Sequence, residues 1–211
     1  MKKLLLLAGI AAFAFASNAN ALEVNPYVSA KLSYDWAKDE VKNIDNMLGN
    51  EKTKLHKNIW GAHFAAGAKA RAIRTEIEWN TYQDAKRKVS QANERLRLQN
   101  NSLMLNAYYD INTCTKWTPY VGAGMGVAML KFTEKNMENG YKASNRTYNF
   151  AWQVGAGVAY DLTKNVALDA GYRYINSGSA VVNKRQAFGW NNKTKYNAAA
   201  HEIYFGARYT F

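Results

Sequence analysis

The chain is poor in the features that usually announce a soluble secreted domain or an enzyme. It has one cysteine, Cys114, so no internal disulfide framework can form. No histidine or second cysteine stands at ligand spacing from it, so a bland free thiol is the reading rather than a metal or redox site. There are two prolines, Pro26 and Pro119, each near the start of a proposed strand, where a missing backbone donor is least harmful. Histidines number three, His56, His63 and His201. No phosphate-cradling loop and no metal-ligand cluster is found. Beyond residue 21 no long uninterrupted apolar run exists, which excludes a bundle of membrane helices. Mean hydropathy is −0.43. That value would also fit a membrane barrel, whose lipid face is diluted by its lumen face and its loops.

What is present begins with an export signal. Met1-Lys2-Lys3 is a short basic region, Leu4 to Ala16 is apolar, and Ala19-Asn20-Ala21 supplies a small-x-small cleavage pattern. Cleavage after Ala21 and export through the Sec pathway are expected. The domains are then a signal peptide, 1–21, and one further domain, 22–211. The apolar stretch is too short to span a bilayer comfortably.

Eight segments after the signal alternate with period two. They are about 25–36, 59–69, 73–82, 102–111, 118–132, 147–160, 165–175 and a last one from about 198. In the second, Trp60, Ala62, Phe64, Ala66 and Ala68 share a face; in the fifth, Val121, Ala123, Met125, Val127 and Met129 do. Three connections are short, 70–72, 112–117 and 161–164. The other four are long, 37–58, 83–101, 133–146 and 176–197. Short turns at one end and long loops at the other, with an even number of strands, is the layout of an outer-membrane barrel with both termini on the periplasmic side. The fold class expected is all-β, an eight-stranded antiparallel transmembrane β-barrel with four long extracellular loops. A soluble up-and-down barrel would bury its apolar face inward. Here the other face carries charges and could not line an oily pocket.

Those inward charges are Lys31, Arg74, Glu76, Glu78, Asp169, Arg173 and Arg208, and Asp35, His63, Lys69 and Glu202 can join them. Buried ions need partners, so they are read as a mutually neutralising plug. The rival is a narrow pore. An eight-stranded interior is just wide enough for side chains to fill, which favours the plug. Glycines 122, 124, 126, 155, 157, 171 and 206 share that face and leave room for large polar side chains.

Charge elsewhere is one-sided. Of the formal +12, Lys2 and Lys3 leave with the signal. The barrel and short turns carry eight basic and eight acidic residues, so the long loops, extended to Lys131, hold the whole remaining excess. Candidate polyanion-binding residues are Lys86, Arg87 and Lys88 in the second loop, and Lys184, Arg185, Lys193 and Lys195 in the fourth. Nucleic acid is not an expected partner, since neither compartment nor fold suits it.

Tyr120-Val-Gly-Ala-Gly-Met-Gly-Val127, Ser102-Leu-Met-Leu-Asn-Ala-Tyr-Tyr-Asp110, Val154-Gly-Ala-Gly-Val-Ala-Tyr-Asp161 and Leu168-Asp-Ala-Gly-Tyr-Arg-Tyr174 resemble the opacity-type surface antigens. These belong to the eight-stranded outer-membrane barrel superfamily that includes OmpA-type barrels. The resemblance covers the strands and not the loops. It implies an outer-membrane location and a non-enzymatic surface antigen, expected to be a monomer without cofactor or metal and lacking the OmpA-type peptidoglycan-binding domain. The last strand, Ile203 to Phe211, resembles the terminal strand that the outer-membrane assembly machinery reads, which implies an assembly signal at Phe205, Tyr209 and Phe211. Lipid A deacylases on such barrels resemble a His-Ser-Glu site. No His-x-Ser pattern exists here, and His201 and Glu202, being adjacent, face opposite ways. Expected partners are outer-membrane lipids, lipopolysaccharide and host surface polyanions, with adhesion as the leading function. A structural barrel or a narrow pore is the alternative.

Overall fold

In the computed structural model, the backbone is described for residues 23–44, 51–89, 94–136, 142–185 and 191–211, and side chains for 23–36, 59–84, 99–131, 146–178 and 199–211. The strand segments are β1 (Val24–Ile44), β2 (Glu51–Ala70), β3 (Ile73–Tyr82), β4 (Ala85–Val89), β5 (Glu94–Asp110), β6 (Trp117–Asn136), β7 (Lys142–Asp161), β8 (Val166–Arg185) and β9 (Asn191–Thr210). All pair antiparallel with their neighbours, and β1 pairs with β9. Both β3 and β4 pair with β5, so they are two parts of one stave. Across the membrane band the sheet therefore closes as an eight-stranded barrel, the form in which a sheet can cross a bilayer.

The short turns are tight. Arg71, in the turn between β2 and β3, and Cys114, between β5 and β6, have φ near +55°. At Cys114 the backbone N–H donates to Asn112 Oδ1 at 2.9 Å, an Asx-type closure that holds the turn. The thiol is exposed.

The four long connections are a different matter from the loops expected. Most of their length is paired strand: β1 and β2 remain in register out to Asn43↔Glu51, and β6 and β7 out to Lys135↔Lys142. The sequence conceals this because alternation there is between charged and polar residues, which carries little hydropathy contrast. A bulge in β8 lies between Asn176 and Ser179, and the pairing with β5 shifts by one residue between β3 and β4. Gly178 occupies the bulge at φ +79°, with its N–H donating to Asn176 Oδ1 at 2.9 Å. A Cβ at this position would lie 2.9 Å from Asn149 Cβ, so glycine suits both the backbone and the space.

Polarity is set by the pleat. Across the membrane band the outward residues are large and apolar, among them Leu32, Phe64, Leu105, Met125, Phe150 and Phe205, all exposed. Aromatic pairs mark both rims: Tyr34–Trp60 and Trp152–Tyr174 at the extracellular side, Trp117–Tyr160 and Tyr209–Phe211 at the turn side. At the extracellular rim the pattern crosses over. In β6, Val127 faces out, but two pleats on Lys131 takes the outward position, while Ala128 and Leu130 are buried inward. Met104, Ala128 and Ala151 form an apolar cluster there, capping the polar lumen below.

Candidate functional site

The lumen holds a connected set of ions. Lys31 Nζ on β1 reaches Glu76 at 2.9 Å and Glu78 at 2.7 Å on β3, two strands away. From β8, Arg173 donates through Nη1 to Glu78 at 2.6 Å, and through Nε and Nη2 to Glu202 at 2.9 Å each. His63 Nε2 lies 2.7 Å from Glu202 and its Nδ1 lies 2.7 Å from Asn80 Oδ1. Glu76 gathers further donors: the hydroxyls of Tyr27 and Tyr108 at 2.9 Å each and the Asn106 amide at 3.2 Å. These groups are nearly all fully buried, and such ions persist only when their lone pairs and protons are taken up in this way.

Nearer the turn end a second set forms. Arg74 donates through Nε to Asp110 at 2.7 Å, and Lys69 reaches the other oxygen of Asp110 at 2.8 Å. Arg74 also lies over the rings of Tyr108 and Tyr120, at 4.8 and 4.6 Å. Asp169 and Arg208 are 3.9 Å apart, a looser pair. A cavity of about 590 Å³ opens at this mouth beside Tyr27, Lys69, Arg74 and Arg208.

Tyrosine and glycine fill the lumen together. Tyr27 pairs across strands with Gly67, Tyr108 with Gly122, Tyr120 with Gly157 and Tyr204 with Gly171. Each ring lies over the bare backbone opposite; a Cβ at Gly122 would meet the Tyr108 ring at 2.2 Å. The Tyr120 and Tyr204 hydroxyls meet at 3.0 Å across the lumen.

Of the lumen residues read from the sequence, the structure joins Lys31, Glu76, Glu78 and Arg173 in one cluster. Arg74 stands apart from the two glutamates with which it alternates on β3. It turns to Asp110, because it lies a strand register closer to the turn end, beside the end of β5. Asp110 escaped the sequence reading although its place after outward Tyr109 puts it on the lumen face. His201 and Glu202 do separate: Glu202 is buried in the lumen, and His201 is bound to the Tyr172 hydroxyl at 2.5 Å on the outside. Phe205, Tyr209 and Phe211 are exposed on the outer face, and the Phe211 N–H donates to the Pro26 carbonyl at 3.0 Å. Among the described residues no three His, Cys, Asp or Glu side chains are grouped to hold a metal.

The basic residues assigned to loops lie on paired strand. Lys86 and Lys88 stand opposite Arg97 and Arg95, and Arg87 opposite Leu96. Lys195 stands between Lys42 and Val181, Lys193 between Ile44 and Asn183, and Lys184 opposite Asn192. Arg185 closes the ladder opposite Asn191. The side chains of all seven lie outside the described residues.

Comparison with known proteins agrees with this architecture. The family model described as "Outer membrane protein beta-barrel domain" matches residues 4–211. Outer membrane protein PagN of Salmonella typhimurium is 33% identical over 127 residues, 56% of this chain and 53% of that protein. The chain thus spans about half the length of that relative. Opacity protein opA66 of Neisseria gonorrhoeae is 26% identical over 88% of this chain and 97% of its own length. Among solved structures, Neisserial surface protein A superposes with a TM-score of 0.58 at 23% identity, covering 90% of this chain and 99% of that one. Ail, the attachment invasion locus protein of Yersinia pestis, solved in complex with the heparin analogue sucrose octasulfate, gives 0.52 at 15% identity, covering 88% and 99%.

Proposed function

Since the chain belongs to the outer membrane protein beta-barrel domain family, we propose that it is a non-enzymatic surface barrel whose basic extracellular extensions hold polyanions. One observation carries the reading. The membrane wall is balanced in charge, with its ions paired inside, while the net positive charge lies on the extracellular segments. A cationic rim draws phosphates and sulfates. The likeness to Ail, solved with a heparin analogue, suggests heparin as a first probe. The partners in this reading are lipopolysaccharide or a host surface glycan, and the assembly machinery that reads the last strand.

Cells displaying the protein should adhere to heparin. Changing Lys184, Arg185, Lys193 and Lys195 together to Gln should weaken adhesion, and salt should weaken it too, since exposed charges are screened over about 8 Å at physiological ionic strength. If wild type does not adhere at any salt, or the neutralised chain adheres equally well, the structural barrel replaces this reading. The lumen is proposed to be a closed plug: ion pairs of 2.6–2.9 Å bridge β1, β3, β8 and β9. Planar bilayers should then show no steady conductance, and porin-like currents would promote the pore instead.

A further inference from the structure

At the turn end of the lumen two charged donors are left over. Arg74 and Arg208 are only 3% and 6% exposed. Nη2 of Arg74 and Nη1 of Arg208 are buried and have no hydrogen-bond acceptor among the described residues. A buried guanidinium nitrogen normally bonds to protein, to water or to an ion. Both arginines line one cavity, that of about 590 Å³ at the turn-end mouth. They stand on β3 and β9, with β2 and β1 completing the wall between them.

The nearest acids do not use up these groups. Asp110 takes Nε of Arg74 at 2.7 Å and the ammonium of Lys69 at 2.8 Å, which leaves the far side of the Arg74 fork free. Asp169 lies 3.9 Å from Arg208 Nε, beyond hydrogen-bond reach. It also sits one pleat deeper, opposite Gly206, whereas Arg208 stands opposite Ala167 nearer the mouth. An anion entering from the mouth therefore meets Arg208 before it meets Asp169.

Charge around the cavity points the same way. Five cationic side chains line it, Lys69, Arg74, Lys116, Lys164 and Arg208, against one acidic side chain, Asp161. Cations stay in excess when Asp110, Asp169 and a carboxylate on Phe211 are all counted against them. The two forks are also held in place beforehand. Arg74 is pinned by Asp110 and lies over the Tyr108 and Tyr120 rings, and Arg208 lies 5.6 Å from the Tyr27 ring. Little ordering is then left for a ligand to impose. Two guanidinium forks with ammonium groups around them offer more donors than the two oxygens of a carboxylate can take, and a phosphate has the oxygens to meet them.

We infer that the turn-end cavity is a phosphate-binding site, with Arg74 and Arg208 at its floor and Lys69, Lys116 and Lys164 at its entrance. The ligand is a phosphate or phosphoester, either free in the periplasm or carried on a lipid headgroup of the inner leaflet. The site lies at the opposite end of the barrel from the basic extensions and does not depend on adhesion.

The test uses the folded chain in dodecyl maltoside micelles, which carry no phosphate, with a trifluoromethyl label on the thiol of Cys114, in the turn beside Lys116. Fluorine NMR follows the label at constant ionic strength while inorganic phosphate, glycerol 3-phosphate or dioctanoylphosphatidylglycerol replaces chloride. A saturable shift is expected with phosphate and none with chloride. Arg208→Gln should raise the midpoint about tenfold, the worth of a hydrogen bond to a charged group. Lys116→Gln/Lys164→Gln, confined to exposed turns, should raise it about threefold. Changing Lys184, Arg185, Lys193 and Lys195 to Gln should leave it unchanged. Heat-modifiable gel mobility verifies folding, and if Arg208→Gln does not fold, Arg208→Lys, which keeps the charge and loses the fork, replaces it with the same expected direction. Saturation by the soluble phosphates alone identifies a free phosphate as the ligand; saturation by the lipid at lower concentration identifies a headgroup. No saturable shift with any of the three means that the two nitrogens bond only to water, and overturns the site. An unchanged midpoint in both the arginine and the lysine variants overturns it as well.

Discussion

Replacing Arg173 with methionine removes the group on which the upper lumen cluster converges. Arg173 loses its contacts of 2.6 Å to Glu78, two of 2.9 Å to Glu202 and 3.4 Å to Asn80, together with its approach to the His63 ring at 3.2 Å. The loss is unequal. Glu78 keeps Lys31 at 2.7 Å, whereas Glu202 is left with His63 alone. Both carboxylates are fully buried, so neither can recover its hydration without opening the wall. Removing one partner of a buried ion pair costs about 3–5 kcal/mol. With a urea m-value of about 2 kcal/mol/M, the unfolding midpoint should fall by about 1.5–2.5 M. Urea unfolding in phosphatidylcholine vesicles, followed by tryptophan fluorescence and by the folded gel band, measures this. The double variant Arg173→Met/Glu202→Gln leaves no carboxylate stranded on β9, and should be more stable than the sum of the single losses by about 1–3 kcal/mol. A single variant within about 0.3 M of wild type, or strict additivity in the double, would refute the argument that these ions hold the staves together.

Three further outcomes are expected. Gly122→Val drives a side chain into the Tyr108 ring and should destabilise by about 1–3 kcal/mol, with Gly122→Val/Tyr108→Ala recovering part of the loss in the same unfolding assay. A membrane-impermeant maleimide should label Cys114 only after the outer membrane is permeabilised, because its turn lies at the periplasmic end; labelling on intact cells would invert the topology. Phe211→Asp removes the last outward aromatic of the closing strand and should lower the heat-modifiable fraction recovered from outer membranes, and an unchanged yield would contradict that role.

The membrane staves were legible because one period-two face is oily; Trp60 to Ala68 and Val121 to Met129 need no further information. Their continuation was not. Beyond Lys131 or before Arg146, both faces are polar, so nothing in hydropathy separates a paired strand from a loop, and the ladder at Lys135↔Lys142 emerges only from structure. Parity placed Glu76, Glu78, Lys31 and Arg173 on one face, which is a local property of each strand. Partner choice is not local. Arg74 meets Asp110 rather than Asp169 because strand tilt and stagger decide which residues share a level, and that offset is a property of the closed sheet. The tyrosine–glycine pairs are legible as residues and illegible as pairs for the same reason.

The crossing of polarity between Val127 and Lys131 gives the barrel a fixed waterline. Riding higher would bring Phe150, Trp152 and Val127 out of hydrocarbon, at about 1.5–3 kcal/mol for each large apolar side chain exposed. Sinking would drag Lys131 and Arg146 downward, where a cation costs about 2–4 kcal/mol as it nears the midplane. Both penalties begin within one or two pleats on β6 and β7, so the wall does not bob to suit its surroundings. In a bilayer of the wrong thickness the lipids must stretch or compress around it, at fractions of a kcal/mol per ångström. The barrel thereby imposes its own height on the annulus of lipid it meets, and membranes of different thickness are unequal hosts for it.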